Sequence, residues 1–484
     1  MAGSVSAVPG FALQPSAQQV PLKTNYITNF DFLNQYLPDT YEKEFERYGN
    51  RTISSFLRMV GAELPSNSDL IKWAEQGRLH VKYTNCTTTV LANADTAVFT
   101  VNDTLVPAFV SAANGSIAIR VGQTVMITAN AGGSNYKAIV TAVDTTAKTF
   151  TVAFYNASGI TNASGANVFT VFIYGSEFKK GTNGMVGSLE ADDEIFDNSP
   201  IIIKDKYSVS GSDMAQIGWV EVTTENGATG YLWYLKSEHE TRLRFDDYLE
   251  TAMIEAVPAE VGSGAIATTG DVGNKGSKGI FYTVNDRGNV WGGGYPTTLP
   301  DFDTIVSRLD KQGAIEENVI FVDRAFSFGI DDMLATINGY AGASSANAAS
   351  FGLFENDRDM ALNLGFAGFR RGYDFYKSDW KYLNDPTMRG GLPTSAGSGK
   401  VSGLLVPAGS TTVYDQILGK NAKRPFLHVR YRASETENRR YKTWITGSAG
   451  GAQNSDLDAM EVNFLSERCV CTLGANNFVL FRYG

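Results

Sequence analysis

The most regular pattern along the chain is an alternation of apolar and polar residues between positions 83 and 175. Runs such as TAVFTV, IAIRV, TVMITA, KAIVTAV and KTFTVAFY have a period of two and are separated by Asn, Gly and Asp turns. Because alternate side chains of a strand face opposite sides of a sheet, these runs predict a small antiparallel barrel or sandwich. Only six of the 93 residues are charged, whereas the flanking segments are charged like the rest of the chain. The change in composition predicts an all-β domain inserted into a loop of another domain.

A helical pattern follows at residues 231–256 and ends before Pro258. Its apolar residues form one narrow stripe, and charged residues cover the remaining faces. The helix would be about 38 Å long at the usual rise per residue, and its charge predicts a spanning strut rather than a core helix. Immediately before it, residues 200–209 and 216–223 have the pattern of two strands around a Ser-Gly-Ser-Asp turn.

The second half of the chain mixes helical and strand patterns. Glycine-rich residues 262–294 predict a loop or a weak hairpin. Beyond them, FDTIVSRLDKQG predicts a helix, NVIFVD a buried strand and RAFSFGIDDMLATING a second helix, an order typical of an α/β sandwich. The segments KVSGLLVP, FLHVRYRA, RYKTWITG, DAMEVNFLSERCVCTLG and NNFVLFRYG predict strands.

The N-terminal segment has a different character. Residues 1–38 are small, polar and punctuated by proline, which predicts an extended arm that becomes ordered only against a neighbouring surface. The following segment, YEKEFERYGNRTISSFLRMVGAELP, has helical spacing and stops at Pro65. An arm of this kind indicates assembly with other subunits.

The overall charge narrows the classes of function. The chain has 484 residues, 43% of them hydrophobic, and a formal net charge of −10. This length predicts several folded units, and the negative charge argues against sequence-specific binding of nucleic acid, because no basic stripe is present to neutralise phosphates. No apolar run approaches the ~20 residues needed to cross a bilayer, and the N-terminus lacks the order of a signal peptide. The sequence therefore predicts a protein that folds in the cytoplasm of the producing cell.

Patterns typical of catalytic or metal sites are sparse. The three histidines, His80, His239 and His428, lie in different predicted elements, and Leu243 occupies the position of the second ligand in a zinc motif that would begin at His239. Acidic pairs at 246–247, 316–317 and 331–332 are the residue types of a carboxylate hydrolase, but adjacent residues of a helix point in different directions. The sequence predicts that the protein is not an enzyme and holds no metal or cofactor.

The three cysteines, Cys86, Cys469 and Cys471, are too few and too unevenly spaced for a disulfide framework. Cys469 and Cys471 lie two residues apart, so they share one face of a predicted strand. Two interpretations follow: a pair of metal ligands, or two small residues packed under a sheet. A single C-x-C sequence favours packing.

The densest group of charged residues lies in the segment FLHVRYRASETENRRYKTW, which combines four arginines with two glutamates. Two interpretations remain open for this segment. It is either a solvated hairpin or a subunit interface in which arginine forks pair with carboxylates of a neighbour.

The segment IIIKDKYSVSGSD, followed by the long charged helix with Glu250, resembles the major capsid proteins of tailed bacteriophages that share the Hong Kong 97-type fold. In that family a strand closing the extended loop (E-loop) carries a similar Val-Ser-Gly turn and leads into the "spine" helix. The residues that match this strand are Lys204, Tyr207, Val209, Ser210 and Gly211. Residues 231–256 match the spine, and the inserted β module near the E-loop makes the chain most similar to capsid proteins of crAss-like phages.

The resemblance implies an α+β fold of the Hong Kong 97-like type with an inserted all-β domain. The implied segments are residues 1–40 for the N-terminal arm, 41–82 for an N-terminal helix and the start of the E-loop, 83–175 for the inserted β-barrel or β-sandwich, 176–230 for the E-loop and its return strand, 231–258 for the spine helix of the peripheral domain, 259–300 for a peripheral-domain loop or hairpin, 301–440 for the axial domain, and 441–484 for the return to the peripheral and axial domains with C-terminal strands.

The function implied is that of a non-enzymatic shell protein that self-assembles into hexamers and pentamers of an icosahedral phage head around double-stranded DNA. The implied partners are other copies of the chain, a separate scaffolding protein, a portal and auxiliary or decoration proteins, with DNA faced without sequence specificity and no membrane. The implied location is the virion, after assembly in the host cytoplasm. Alternatives from other classes are a tail or surface protein whose β module binds carbohydrate, and a carboxylate hydrolase.

The residues expected to contact neighbouring subunits are side chains of the return strand, the spine helix and the arginine-rich segment. They are Lys204, Tyr207, Arg242, Arg244, Asp246, Asp247, Arg430, Arg432, Glu435, Glu437, Arg439 and Arg440.

Overall fold

The computed structural model describes residues 62–77, 80–88, 94–102, 117–130, 135–160, 168–188, 193–215, 222–223, 229–230, 233–265, 274–313, 315–342, 368–393, 395, 397–415, 420–451 and 453–484. The predicted N-terminal arm and nearly all of the helix predicted after it lie outside these residues. The chain divides into two compact units. The described residues of the first lie within 203–249 and 441–466, and those of the second lie within 62–202, 250–440 and 467–484. The structure is a mixture of helices and strands.

The described strands before residue 199 are β1 (Ala62–Ser66), β2 (Ile71–Gln76), β3 (Lys82–Thr87), β4 (Thr96–Val101), β5 (Gln123–Ala129), β6 (Asn135–Asp144), β7 (Thr149–Phe154), β8 (Val168–Ser176) and β9 (Asp193–Asn198). Among them, β2 and β9 pair with each other as a two-stranded ribbon, and β3 to β8 form a barrel. Where a helix was expected to end at Pro65, residues 62–66 form β1 instead. Proline is tolerated there because β1 ends its sheet and needs no donor on its outer side.

The six strands β3 to β8 form a closed antiparallel barrel in the order β3-β4-β7-β6-β5-β8. Phe99, Phe150 and Phe169 fill its interior, and the ring centroids of Phe150 and Phe169 each lie 5.5 Å from that of Phe99. The first and last strands pair with each other, Lys82 opposite Phe172. The two ends of the barrel segment therefore leave from neighbouring strands.

The alternating runs at Thr96–Val101 and in β5, β6 and β7 form strands as predicted. The run IAIRV at residues 117–121 does not form a strand. Ile117, Ala118 and Ile119 are consecutive and all buried in the barrel core, and the Ala118 amide donates to the hydroxyl of Tyr83 at 2.7 Å. These residues enter the core together, without the in–out alternation that the run predicted and without strand pairing, so the prediction was wrong for this run.

The chain between residues 201 and 255 contains a strand and a long helix. The elements are β10 (Ile201–Ser210), the single turn α1 (Gly211–Met214), the two-residue strands β11 (Val222–Thr223) and β12 (Thr229–Gly230), and α2 (Trp233–Glu255). The helix predicted at 231–256 is confirmed. Its interpretation as a strut with charge-covered faces needs correction, because Asp247 and Glu250 are buried, as are Phe245 and Leu249. A charged residue indicates a solvent-exposed position only where no neighbouring polar group can offset the cost of burying its charge.

In the first unit, α2 packs on strands from the C-terminal part of the chain. Phe245 lies against Tyr441 and Phe464, with centroid distances of 5.3 and 5.6 Å. Val209 of β10 and Met460 complete the same apolar cluster. The residues on the helix stripe thus have a core role in this unit.

The remaining elements include a mixed six-stranded sheet. They are α3 (Ile280–Arg287), β13 (Asn289–Trp291), α4 (Leu299–Gln312), β14 (Glu317–Val322), α5 (Arg324–Gly342), β15 (Gly368–Arg371), β16 (Tyr373–Asp379), α6 (Lys381–Asn384), β17 (Val401–Pro407), β18 (Ser410–Asp415), β19 (Lys420–Pro425), β20 (Leu427–Arg432), β21 (Lys442–Gly447), β22 (Ala459–Thr472) and β23 (Val479–Arg482). The helix–strand–helix order predicted for 301–342 is confirmed by α4, β14 and α5. None of the described helices is long and apolar enough to span a bilayer.

The prediction of a loop or weak hairpin at residues 262–294 is wrong for Ile280–Arg287, which form helix α3. Ile280, Phe281 and Val284 are buried on one side of this eight-residue helix. Two turns present too few apolar repeats for a helical period to be recognised among surrounding glycines.

The six-stranded sheet has the order β13-β23-β17-β14-β16-β15 and contains parallel and antiparallel pairs. Its core contains Phe302 of α4, Phe326 of α5 and Phe375 of β16. Helix α4 begins with a capping box between Thr298 and Asp301 and ends at Gly313 in the left-handed region, φ 73°. These local signals explain why its boundaries were predictable.

In the second unit, β1 pairs in parallel with β20, and β20 pairs with residues 468–472 of β22. In the first unit, β21 pairs with residues 460–465 of β22. Strand β22 is 14 residues long and mostly buried.

We expect the barrel to depend on its phenylalanine core. Substitution Phe99→Ala should lower the local free energy of unfolding by about 3–5 kcal/mol, because it removes a fully buried ring from a closed interior. The adjacent Val98 is 47% exposed, so Val98→Ala is the matched control and should cost less than about 0.5 kcal/mol. Hydrogen–deuterium exchange of the barrel amides in the full-length chain measures both. Equal protection in the two variants would contradict the assigned core.

Candidate functional site

The arginine-rich segment forms a network of ion pairs within its own chain. The carboxylate of Glu63, in β1, accepts from Arg440 and from Nη1 of Arg468 at 3.1 Å. Glu467 pairs with Nε of Arg439 at 2.6 Å and lies 3.7 Å from Nη1 of Arg432. Cations and anions therefore alternate across β1, β22 and the segment around the end of β20.

The remaining members of this segment lie nearer to solvent. Arg432 also pairs with Asp69, and Arg439 lies 3.7 Å from Glu437. Glu435 and Glu437 are exposed, whereas Arg430 is half-buried. The structure thus brings Arg432, Arg439 and Arg440 together. Their carboxylate partners Glu63, Asp69 and Glu467 were not identified from the sequence. Residues as far apart in sequence as 63 and 440 show no pattern that would indicate their contact.

The other predicted contact residues lie in the first unit. Lys204 is exposed on β10 and Tyr207 is half-buried, and burial raises the pKa of the Tyr207 hydroxyl. On α2, Arg242 and Arg244 are exposed, Asp246 is half-buried and Asp247 is buried.

Two of the contact residues predicted on α2 lie beside Tyr441. Burial, and next the charge of Asp246, raises the pKa of the Tyr441 hydroxyl to about 12, while Arg242 beside it opposes that shift. Arg242 and Asp246 therefore lie at one site around Tyr441. Arg244 is an exposed cation on the same helix.

One carboxylate, that of Glu75, attaches the ribbon formed by β2 and β9 to neighbouring elements. Oε1 of Glu75 accepts from Nε1 of Trp73 at 2.9 Å, from the amide of Gly474 at 3.0 Å and from Nη1 of Arg287 at 3.3 Å. The Arg287 guanidinium also stacks on Phe196, 3.7 Å from the ring centroid. A two-stranded ribbon is marginally stable alone, so these bonds to α3 and to the turn after β22 hold it in place.

A second anchor lies at the end of β9. Asn198 is buried, and its Nδ2 donates to the carbonyls of Lys278 at 2.9 Å and Val470 at 2.6 Å. Its Oδ1 accepts from the amide of Lys278 at 2.8 Å and the hydroxyl of Ser277 at 3.0 Å. All the hydrogen-bonding capacity of this amide is used within the second unit, to which Asn198 itself belongs.

A cavity of about 180 Å³ opens between the ribbon and α3. Its walls combine three aromatic rings with charged side chains. The lining residues are Trp73, Glu194, Phe196, Asp197, Lys278, Tyr282, Thr283, Asp286 and Arg287. Lys278 pairs with Asp197, and the hydrogen bond from Lys278 is the main cause that lowers the pKa of Asp197. This cavity was not foreseen, because its walls come from three separate stretches of sequence.

The cysteine pair is packed inside β22. Cys469 and Cys471 are buried, and His428 of β20 lies opposite Cys471 in the strand register. The hydrogen bond to Cys471 and burial raise the pKa of the Cys469 thiol. Within the described ranges, no group of three or more His, Cys, Asp or Glu side chains is arranged to hold a metal ion.

Comparisons with known proteins give similarity to bacteriophage structures. No family model and no curated protein matches the chain. A solved structure from Microbacterium phage Oxtober96 is 10% identical over 93% of this chain and 96% of the other, with a TM-score of 0.38. The capsid structure of Cyanophage P-SCSP1u is 9% identical over 63% and 79% of the two chains, with a TM-score of 0.34. The capsid asymmetric unit of Cyanophage Pam1 is 13% identical over 64% and 82%, with a TM-score of 0.35.

We expect Glu75 to be the residue that secures the ribbon. Substitution Glu75→Gln should lower the free energy of unfolding by about 1–3 kcal/mol, because three donors lose a charged acceptor. Glu194 lies directly opposite Glu75 in the ribbon and has no hydrogen-bond or ion-pair partner among the described residues, so Glu194→Gln is the matched control. Urea denaturation of the unassembled chain, followed by circular dichroism, measures the difference. Equal loss from both variants would show that Glu75 has no special role.

Proposed function

We propose that the chain is the major capsid protein of a tailed bacteriophage, a structural subunit without catalytic activity. Copies of the chain assemble into hexamers and pentamers of an icosahedral shell of the Hong Kong 97-like type, and the shell encloses double-stranded DNA. A separate scaffolding protein and a portal take part in assembly. The proposal includes the virion as the location and the host cytoplasm as the place of assembly.

The main support for this proposal is the order of elements from β10 to α2. The residues that match the family's return strand, Lys204 to Val209, lie in one continuous ten-residue strand. Ser210 then accepts a hydrogen bond from the amide of Asp213 at 3.1 Å and caps the turn that follows. Residues 215–232, which include the paired strands β11 and β12, lead from this turn to α2, and α2 extends for 23 residues. A return strand, a capped turn and a long helix in this order support the assignment of E-loop and spine.

The arrangement around the barrel gives further support. Strands β2 and β9 pair antiparallel, and the barrel lies between them in the chain. The proposal assigns this ribbon and the barrel to the E-loop region, and the mixed six-stranded sheet with α4 and α5 to the axial domain. The N-terminal arm, which lies outside the described residues, is assigned to contacts with neighbouring subunits.

The distribution of charge suits a shell around DNA. A net charge of −10 repels phosphate, so a lumen lined by this protein holds DNA without binding it tightly. The barrel has few charges and exposes Val98, Tyr155 and Tyr174, each between 46% and 51%. Such a surface suits contact with protein better than contact with phosphate, so the proposal places the barrel on the outer face, where neighbouring capsomers or an auxiliary protein meet it.

We expect the purified chain, alone or with its scaffolding protein, to form closed polyhedral particles or capsomer rings. Negative-stain electron microscopy and light scattering detect them. A shell subunit repeats each contact around the particle, so assembly should appear steeply with concentration. A monomer or a trimeric fibre at every concentration, with binding to a glycan array, would support the carbohydrate-binding alternative instead.

We expect the barrel to be dispensable for the fold of the remaining chain. Replacing residues 84–174 with a short Gly/Ser linker should preserve folding, because β3 and β8 pair and the ends are close together. Particles of the shortened chain should disassemble at a lower temperature than particles of the intact chain, which serve as the control. An unfolded product, or microscopy that places the barrel in the lumen, would contradict the assigned role.

A further inference from the structure

Two carboxylates at the cavity beside the β2–β9 ribbon form no ion pair with a cation of the described residues. Of the charged groups in the wall, Lys278 pairs with Asp197 at the ribbon edge, and Arg287 is engaged by Glu75. Glu194 and Asp286 remain, and no hydrogen bond or ion pair joins either of them to another described residue. Both are exposed at the cavity.

The ribbon makes the charge on Glu194 unfavourable within one subunit. Glu194 lies directly opposite Glu75 on the same face of two antiparallel strands. Like charges in this position repel, and Arg287, the cation that contacts Glu75, also donates to the carbonyl of Thr472 at 3.2 Å and stacks on Phe196. A second cation would lower the energy of this face.

The cavity has the size and lining for one basic side chain. Its volume of about 180 Å³ corresponds to roughly six water molecules, enough for the stem and head of a lysine. Trp73, Phe196 and Tyr282 contribute aromatic surface, against which a methylene stem packs and an ammonium group is attracted. Glu194 and Asp286 supply the counter-charges.

The same chain presents two uncommitted lysines on an exposed segment. Residues 177–188 follow the barrel and are exposed almost throughout, with Arg120 donating to the carbonyl of Gly187 at 2.9 Å. The side chains of Lys179 and Lys180 are exposed and pair with no carboxylate of the described residues. Gly181 and Gly187 have positive φ values of 76° and 84°, and a Cβ added at either would meet no atom within 4 Å, so the segment has freedom to adjust.

We propose that the cavity receives Lys179 or Lys180 from a second copy of this chain, with Glu194 and Asp286 as the paired carboxylates. The two surfaces have opposite charge, and neither has an ion-pair partner among the residues that the structure describes. This inference rests on the proposed function, since it requires copies of the chain to meet. The contact joins the segment after one barrel to the ribbon of a neighbour.

The test is a charge exchange in the full-length chain. The first variant is Glu194→Lys with Asp286→Lys, the second is Lys179→Glu with Lys180→Glu, and the third combines all four substitutions. Each of the first two should raise the protein concentration needed for particle formation about three- to tenfold, and the third should restore it. Glu260→Lys with Asp456→Lys makes the same change of charge at exposed acids elsewhere and should have little effect.

The pattern across the variants distinguishes this contact from a general effect of charge on assembly. A combined variant that assembles no better than the first two overturns the inference, as does a cavity variant that assembles like the unmodified chain. Failure of the cavity variant alone, with normal assembly of the lysine variant, means that another cation fills the site and also overturns it. If the cavity variant does not fold, Glu194→Gln with Asp286→Asn takes its place and should give a smaller shift in the same direction.

The proposed function fails separately, if the unmodified chain forms no particles under any condition. In that event, sedimentation velocity of the same chains measures reversible self-association directly. Weaker association of each charge variant and recovery in the combination would still support the contact. Identical association of all chains would overturn it.

Discussion

Backbone pairing by the C-terminal strands β22 and β23 is the constraint on which the rest of the structure depends. Strand β22 pairs with β20 through residues 468–472 and with β21 through residues 460–465. Strand β23 pairs in parallel with β13 and antiparallel with β17. The carbonyls of Val470 and Thr472 accept from Asn198 and Arg287, and the amide of Gly474 donates to Glu75. Residues distant in sequence are thus ordered by the final stretch of the chain, at the cost in loop-closure entropy that long-range pairing carries.

Three ion-paired carboxylates of the described residues connect separate elements of the subunit. Glu63, Glu75 and Glu467 each join two or more elements through arginines, and their pairs are partly shielded from solvent. Shielded, hydrogen-bonded pairs of this kind orient elements, whereas single exposed pairs contribute little. The arginine-rich segment, for which a solvated hairpin and a subunit interface were the two interpretations, makes these ion pairs within its own chain, and its contact with neighbouring subunits stays a prediction. Among the described residues, the charged groups of Glu194 and Asp286 at the cavity, and of Lys179 and Lys180 after the barrel, take part in no hydrogen bond or ion pair.

The barrel is stabilised by its own hydrophobic core, whereas the ribbon is stabilised by bonds to other elements. The barrel closes on itself around a core of aromatic and branched residues and leaves no strand edge open. The ribbon has two strands and depends on Glu75, Asn198 and Arg287 for its attachment. A self-contained module on an attached ribbon can be presented at a surface without disturbing the sheets behind it, which is consistent with the proposed position on a shell.

The sequence by itself determined the elements whose signals are local. The period-two runs of β4 to β7, the capping box and terminal glycine of α4, and the apolar stripe of α2 depend on residues a few positions apart, and each was predictable. Tertiary structure alone decided that residues 117–119 enter the barrel core without forming a strand and that α3 forms among glycines. It also decided that Asp247 is buried on α2 and that Glu75 meets an amide 399 residues away. Whether a polar side chain meets water or a partner depends on which distant segment packs against it, and spacing along the chain does not carry that information.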